Sequence, residues 1–144
     1  MAHNRWLSLL GAVLLFVASG AQGAEDRPVG PGPCDDSKGQ QDANECFGNV
    51  WRKTDAELTQ AYNRLRERLS DNPKGKILLR DAERAWIKFR DTNCAFQSLA
   101  VEGGSMQPMM YAICRAEMTR DRLKHLQAQL NCEAGDPNCV APSR

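Results

Sequence analysis

Six cysteines constrain this chain more than any other feature: Cys34, Cys46, Cys94, Cys114, Cys132 and Cys139, an even set within 144 residues. What they become depends on compartment, because thiols stay reduced in the cytosol and oxidise outside it. The N-terminus speaks to that. Arg5 gives a short positive start, residues 6–18 (WLSLLGAVLLFVA) carry no charge, and the small-residue stretch Ser19, Gly20, Ala21, Gln22, Gly23 and Ala24 follows before the charged Glu25, Asp26 and Arg27. This pattern predicts a secretory signal peptide over residues 1–23 and a periplasmic or secreted mature protein. The apolar run is shorter than the roughly 20 residues of a membrane span, and no cysteine stands at the cleavage region to carry a lipid, so no membrane anchor is expected after cleavage. In an exported chain the six cysteines read as three disulfides, with several complete pairings open to them.

Removing the first 23 of 144 residues leaves 121, room for one small domain with a single core. The signal carries one of the 19 basic residues and none of the 18 acidic ones, so the mature chain holds 18 of each and a formal charge of zero. That balance supplies no net attraction to nucleic acid or to an anionic membrane. The cluster Arg64, Arg66 and Arg68 is interrupted by Glu67 and reads as a solvated helix face.

Residues 24–33 are rich in Pro and Gly and lack apolar periodicity, which predicts a flexible leader. From about Asp42, apolar residues recur three or four apart as Ala43, Phe47, Val50, Leu58, Ala61, Leu65 and Leu69, one stripe of an amphipathic helix. Thr54 with Glu57 matches a capping box, so two readings stand: one helix throughout, or a restart at Thr54. The breaker cluster Asp71, Asn72, Pro73, Lys74 and Gly75 ends this element. A second helix is predicted over 76–100, with Leu78, Ala82, Trp86, Phe89 and Phe96 as its buried face. Gly103 and Gly104 stop it, Ser105 is a candidate N-cap for a third helix, and Pro108 falls in that helix's first turn. Met109, Ile113, Ala116, Leu123, Leu126 and Leu130 form the third stripe.

Three helices and short turns predict an all-α fold, a three-helix antiparallel bundle or hairpin stapled by disulfides. In a helical hairpin, residues equidistant from the turn lie side by side. Cys94 stands ten residues before Gly104 and Cys114 ten after it, so a bond between them would join helices two and three. Cys34 and Cys46 would pin the leader to helix one, and Cys132 with Cys139 would close a loop of turn-forming residues within a C-terminal tail over 131–144.

Catalytic parts are missing. His3 leaves with the signal, so His125 is the one histidine of the mature chain, and cysteines committed to disulfides leave no set for a metal. No phosphate-binding or nucleophile-elbow motif is present, and no cofactor is implied. The acids Asp81, Glu83, Asp91, Glu117 and Asp121 interleave with bases at helical spacing and read as exposed ion pairs, for instance Asp81 with Lys88 and Glu83 with Arg90. The expectation is a binding protein with no catalytic residues.

The run Trp86-Ile87-Lys88-Phe89-Arg90-Asp91-Thr92-Asn93-Cys94, then Gly103-Gly104-Ser105, then Cys114 followed by Thr119, Arg122 and Leu126, resembles the LprI-like lysozyme-inhibitor domain family. Tyr62, Leu65, Cys34 and Cys46 fit the same pattern, which spans about 34–130. The resemblance implies a small helical envelope domain whose founding member inhibits lysozyme. Two departures stand out: that founding member looks like a lipoprotein, and the Cys132–Cys139 tail looks like an addition. Within the motif, Trp86 reads as a core anchor, Arg90, Asp91 and Arg122 as an ion network between helices two and three, and Thr119 as a structural motif residue. The partner implied is lysozyme or another peptidoglycan-cleaving enzyme. The candidate contact is the hairpin tip Glu102, Gly103, Gly104 and Ser105, because the expected 94–114 bond would brace it. The alternative is a non-inhibitory cell-envelope binding module.

Overall fold

The computed structural model of the chain describes Cys34 and residues 39–142; the signal peptide and leader expected over 1–33 lie outside them. Among the described residues the chain forms three α-helices, α1 (Gln40–Arg68), α2 (Pro73–Gln97) and α3 (Gln107–Leu130), with a 3-10 turn at Leu99–Val101 and no strand. Helix α1 is unbroken. Thr54 does not restart it: its hydroxyl donates to the Val50 carbonyl at 3.0 Å, one turn back, and the side chain is buried. Helix α2 starts three residues earlier than the sequence suggests, because Pro73 fits the first turn and the Asn72 side chain accepts from Gly75 N at 2.8 Å. Replacing Asn72 with Ala should cost about 1 kcal/mol in a denaturant melt, the usual worth of an N-cap. Ser105 does not cap α3, whose cap position is Met106; instead the Ser105 carbonyl accepts from Asn44 Nδ2 at 2.9 Å.

That bond and one at the far end fix the topology. Asn44 near the start of α1 meets the approach to α3, while Arg68 at the end of α1 donates to the carbonyls of Leu130 and Ala141. Helices α1 and α3 therefore run parallel and pack along their length, and α2 runs antiparallel beside α3. The core divides into two parts. Toward the C-terminal ends of α1 and α3, Leu58, Ala61, Leu65 and Leu69 interlock with Leu123, Leu126 and Leu130, and each fully buried leucine contributes about 2 kcal/mol relative to exposure. Toward the other end the buried side chains are small, Ala43, Ala112 and Ala116, and two disulfides lie there: Cys34–Cys46 and Cys94–Cys114, with Cα separations of 5.8 and 5.6 Å. Covalent bonds supplement a core that is thin at this end. A third bond, Cys132–Cys139, closes the tail, whose Ala141 is buried against the leucine cluster.

Helix α2 turns the opposite way from its apolar stripe. Of the predicted inner face only Trp86 packs inward; Leu78, Phe89 and Phe96 are 59%, 60% and 74% exposed, and Ala82 is exposed too. The buried positions are Gly75, Glu83, Arg90 and Cys94. The cause is geometric. At about 100° per residue, Glu83 and Arg90 lie within about 40° of Cys94 around the helix, whereas Leu78 and Phe89 lie about 140–160° away. Once Cys94 faces Cys114, the ionic residues point inward and the apolar stripe points to solvent.

Candidate functional site

The inward face of α2 gathers the motif residues into one cluster at the junction of the three helices. Arg90, 3% exposed, donates from Nη1 to Asp55 Oδ1 of α1 at 2.8 Å and to Thr119 Oγ1 of α3 at 3.2 Å. Its Nε donates to Asp91 Oδ1 at 2.9 Å. Arg122 of α3 donates from Nε and Nη2 to Glu83 Oε2, both at 3.0 Å. The arginines also stack on aromatic faces: Arg90 lies 5.0 Å from the Trp86 ring centre and 6.0 Å from that of Trp51, Arg122 lies 5.9 Å from Trp86, and Arg115 lies 3.5 Å from Trp51. A guanidinium over an aromatic face keeps some electrostatic stabilisation that water would otherwise supply. Arginines are held this deep because each meets a carboxylate and a ring.

Two atoms fit less well. Trp51 Nε1 and Arg115 Nε are buried without a hydrogen-bond acceptor. Arg115 Nε does lie 3.2 Å from Asp91 Oδ1, close enough for Coulomb attraction but too poorly aligned for a hydrogen bond.

Trp86, Arg90, Asp91, Thr119 and Arg122 thus come together, and they hold helices to one another. The sequence missed three members, Asp55, Arg115 and Trp51, because their partners lie on other helices and leave no signal in local spacing. It also mispaired Glu83 and Asp81: Glu83 binds Arg122 across the bundle, and Asp81 takes the side chain of its neighbour Arg80 at 2.8 Å. That guanidinium's hydrogen bond holds the Asp81 carboxyl below the ordinary carboxylate range. Among the described residues, no group of three or more His, Cys, Asp or Glu side chains could hold a metal ion, and the single described histidine, His125, is exposed.

An open groove of about 600 Å³ runs between α1 and α2, lined in part by Tyr62, Arg66, Ile77, Arg80, Arg84 and Ile87. Helical stripes do not report how far two helices splay, so nothing in the sequence announced it.

The tip is built differently. Glu102, Gly103, Gly104 and Ser105 are all exposed, and Gly103 adopts φ 72°, a conformation that favours glycine. The backbone is nonetheless tied. Gly103 N donates to Gln107 Oε1 at 2.9 Å, Gly104 N to the Val101 carbonyl at 3.0 Å, and the Ser105 carbonyl is held by Asn44. Cys94–Cys114 closes the hairpin behind it. Near the tip, Leu99, Met106 and Met110 expose apolar side chains, 55%, 44% and 39%. The result is an exposed, tethered turn beside the start of α1, with one carboxylate, one hydroxyl and three exposed apolar side chains nearby.

A disulfide-stapled helical bundle with an ionic junction and a tethered hairpin tip defines a small all-α domain. The chain belongs to the family described as Lysozyme inhibitor LprI, whose family model matches residues 34–126. It is 34% identical over 105 residues to an uncharacterized protein of Rhizobium meliloti (strain 1021), a match covering 65% of this chain and 76% of that protein. No solved structure matches it significantly.

Proposed function

We propose that this protein is exported and binds a lysozyme or a related peptidoglycan-cleaving enzyme, blocking its cleft with the hairpin tip rather than carrying out chemistry of its own. The observation that carries this reading is the tip itself: exposed, free of bulky side chains at its two glycines, and already tethered by a disulfide and side-chain bonds. Family membership supports the choice of target. A glycosidase of this class works through two carboxyl groups flanking the scissile bond, so an inhibitor must reach or cover them. The Gly103-Gly104 backbone lets the turn enter a cleft, and the Ser105 hydroxyl can donate to a carboxylate there. The exposed side chains of Leu99, Met106 and Met110 then supply apolar area at the rim. Because the tip is tethered before binding, little ordering entropy is lost on docking. The carboxylates on α2's inward side, buried Glu83 and half-buried Asp91, are engaged by arginines, which favours a structural role for them over acid–base work.

The test is lysis of peptidoglycan by lysozyme in the presence of the oxidised mature protein. Dose-dependent protection is expected, with no lysis by the protein alone. Ser105→Glu, which removes the donating hydroxyl and adds a second negative charge beside that of Glu102 opposite the enzyme's carboxylates, should weaken protection at least about tenfold without changing the fold. No protection against several lysozymes would favour the non-inhibitory envelope module, and lysis by the protein alone would favour an enzyme.

A further inference from the structure

The outward face of α2 has no partner within the monomer, although its pattern is that of a buried helix face. Leu78, Ala82, Ala85, Phe89 and Phe96 lie within about 60° of one another around the axis, and all five are exposed. Two phenylalanines at 60% and 74% exposure on one stripe are unusual for a monomer surface. The neighbouring charges indicate what covers it. Along one flank stand Lys74, Asp81 and Lys88, all exposed, while the other flank carries the neutral Asn93 and Gln97.

From this arrangement we infer that the protein forms a twofold dimer by packing α2 antiparallel against α2 of a second copy. In an antiparallel pair related by a twofold axis, the same flank of each helix lies beside its counterpart. With the axis between Arg84 and Ala85, Asp81 of each copy comes opposite Lys88 of the other, so two ion pairs form from one repeated contact. Ala82 and Ala85 fall at the crossing, where small side chains permit close approach. Phe89 enters the space between Leu78 and Ala82 of the other copy. A parallel pairing would instead bring flank against opposite flank and leave Asp81 and Lys88 without each other. One helix pair is a small interface, which places the dimer among weak, concentration-dependent ones.

Sedimentation equilibrium across the micromolar range tests this. The oxidised protein should pass from monomer to dimer, and Phe89→Glu should hold it monomeric while its circular dichroism, and its melting at concentrations where both proteins are monomeric, stay unchanged. Asp81→Lys and Lys88→Asp should each weaken association at least about tenfold. The double variant, and an equimolar mixture of the two single variants, should associate within about threefold of the original, because each restores opposite charges across the axis. A monomer at every concentration, or a dimer indifferent to Phe89→Glu and to the charge reversals, would overturn the inference. Neither result bears on lysozyme binding, which the lysis assay reads separately.

Discussion

Replacing Arg90 with Met should lower the unfolding free energy by about 3 kcal/mol. Arg90 is almost fully buried and binds one residue from each of the three helices: Asp55 in α1, Asp91 in α2 and Thr119 in α3. Methionine preserves length and apolar volume but removes every donor. The Thr119 hydroxyl, on a residue with no exposed surface, then loses its guanidinium partner, and Asp55 and Asp91 lose their counter-charge. Both aspartates are more than a third exposed, and water can solvate them, which keeps the loss from growing larger. The Arg90→Lys variant should recover only part of the stability. A lysine carries the charge but cannot donate to Asp55 and Asp91 at once while lying flat over Trp86. Urea melts of the three proteins, with unchanged slopes, check the order wild type, Lys, Met.

Removing the Cys94–Cys114 bond by double replacement with Ser should cost about 3 kcal/mol, with helical content largely kept. The bond closes a separation of 20 residues, so its loss frees the unfolded chain to a comparable degree on the chain-entropy account. Its position adds to that. The end of the bundle it closes has alanines where the other end has leucines, so little apolar packing stands behind it. Both sulfurs are also buried, and a serine hydroxyl in their place would need a hydrogen bond. Helix α3 should remain docked on α1 through the leucine cluster, leaving the far-ultraviolet spectrum near that of the original. The sensitive region is the junction of α2 with α3, and amide exchange should rise there before it rises at Leu65 or Leu126.

The features that sequence made legible are those encoded by local spacing. Three apolar stripes and two breaker clusters marked three helices, and the equal distance of Cys94 and Cys114 from Gly104 marked their bond. Facing was harder. Helix α2 carries two competing signals, an apolar stripe and a cysteine nearly opposite it, and periodicity alone favoured the stripe. The covalent bond decided the orientation, and Glu83 and Arg90 went inward with it. Cross-helix partners such as Asp55 for Arg90 depend on that orientation and could not be read before it was known. The tail gave no warning either: Ala141 fills a place in the core, and its carbonyl accepts from Arg68 across the chain. The tip residues stand where the hairpin reading put them, yet the bonds that tether them come from Gln107 and Asn44, neither of which has a distinctive spacing.

Hydrogen exchange of the oxidised protein with and without saturating lysozyme tests the proposed mode of action most directly. The amides of residues 99–107 should slow strongly on complex formation, while those of the leucine core at the opposite end stay unchanged. Binding with protection confined to other surfaces, and a tip that exchanges as freely as in the isolated protein, would contradict it.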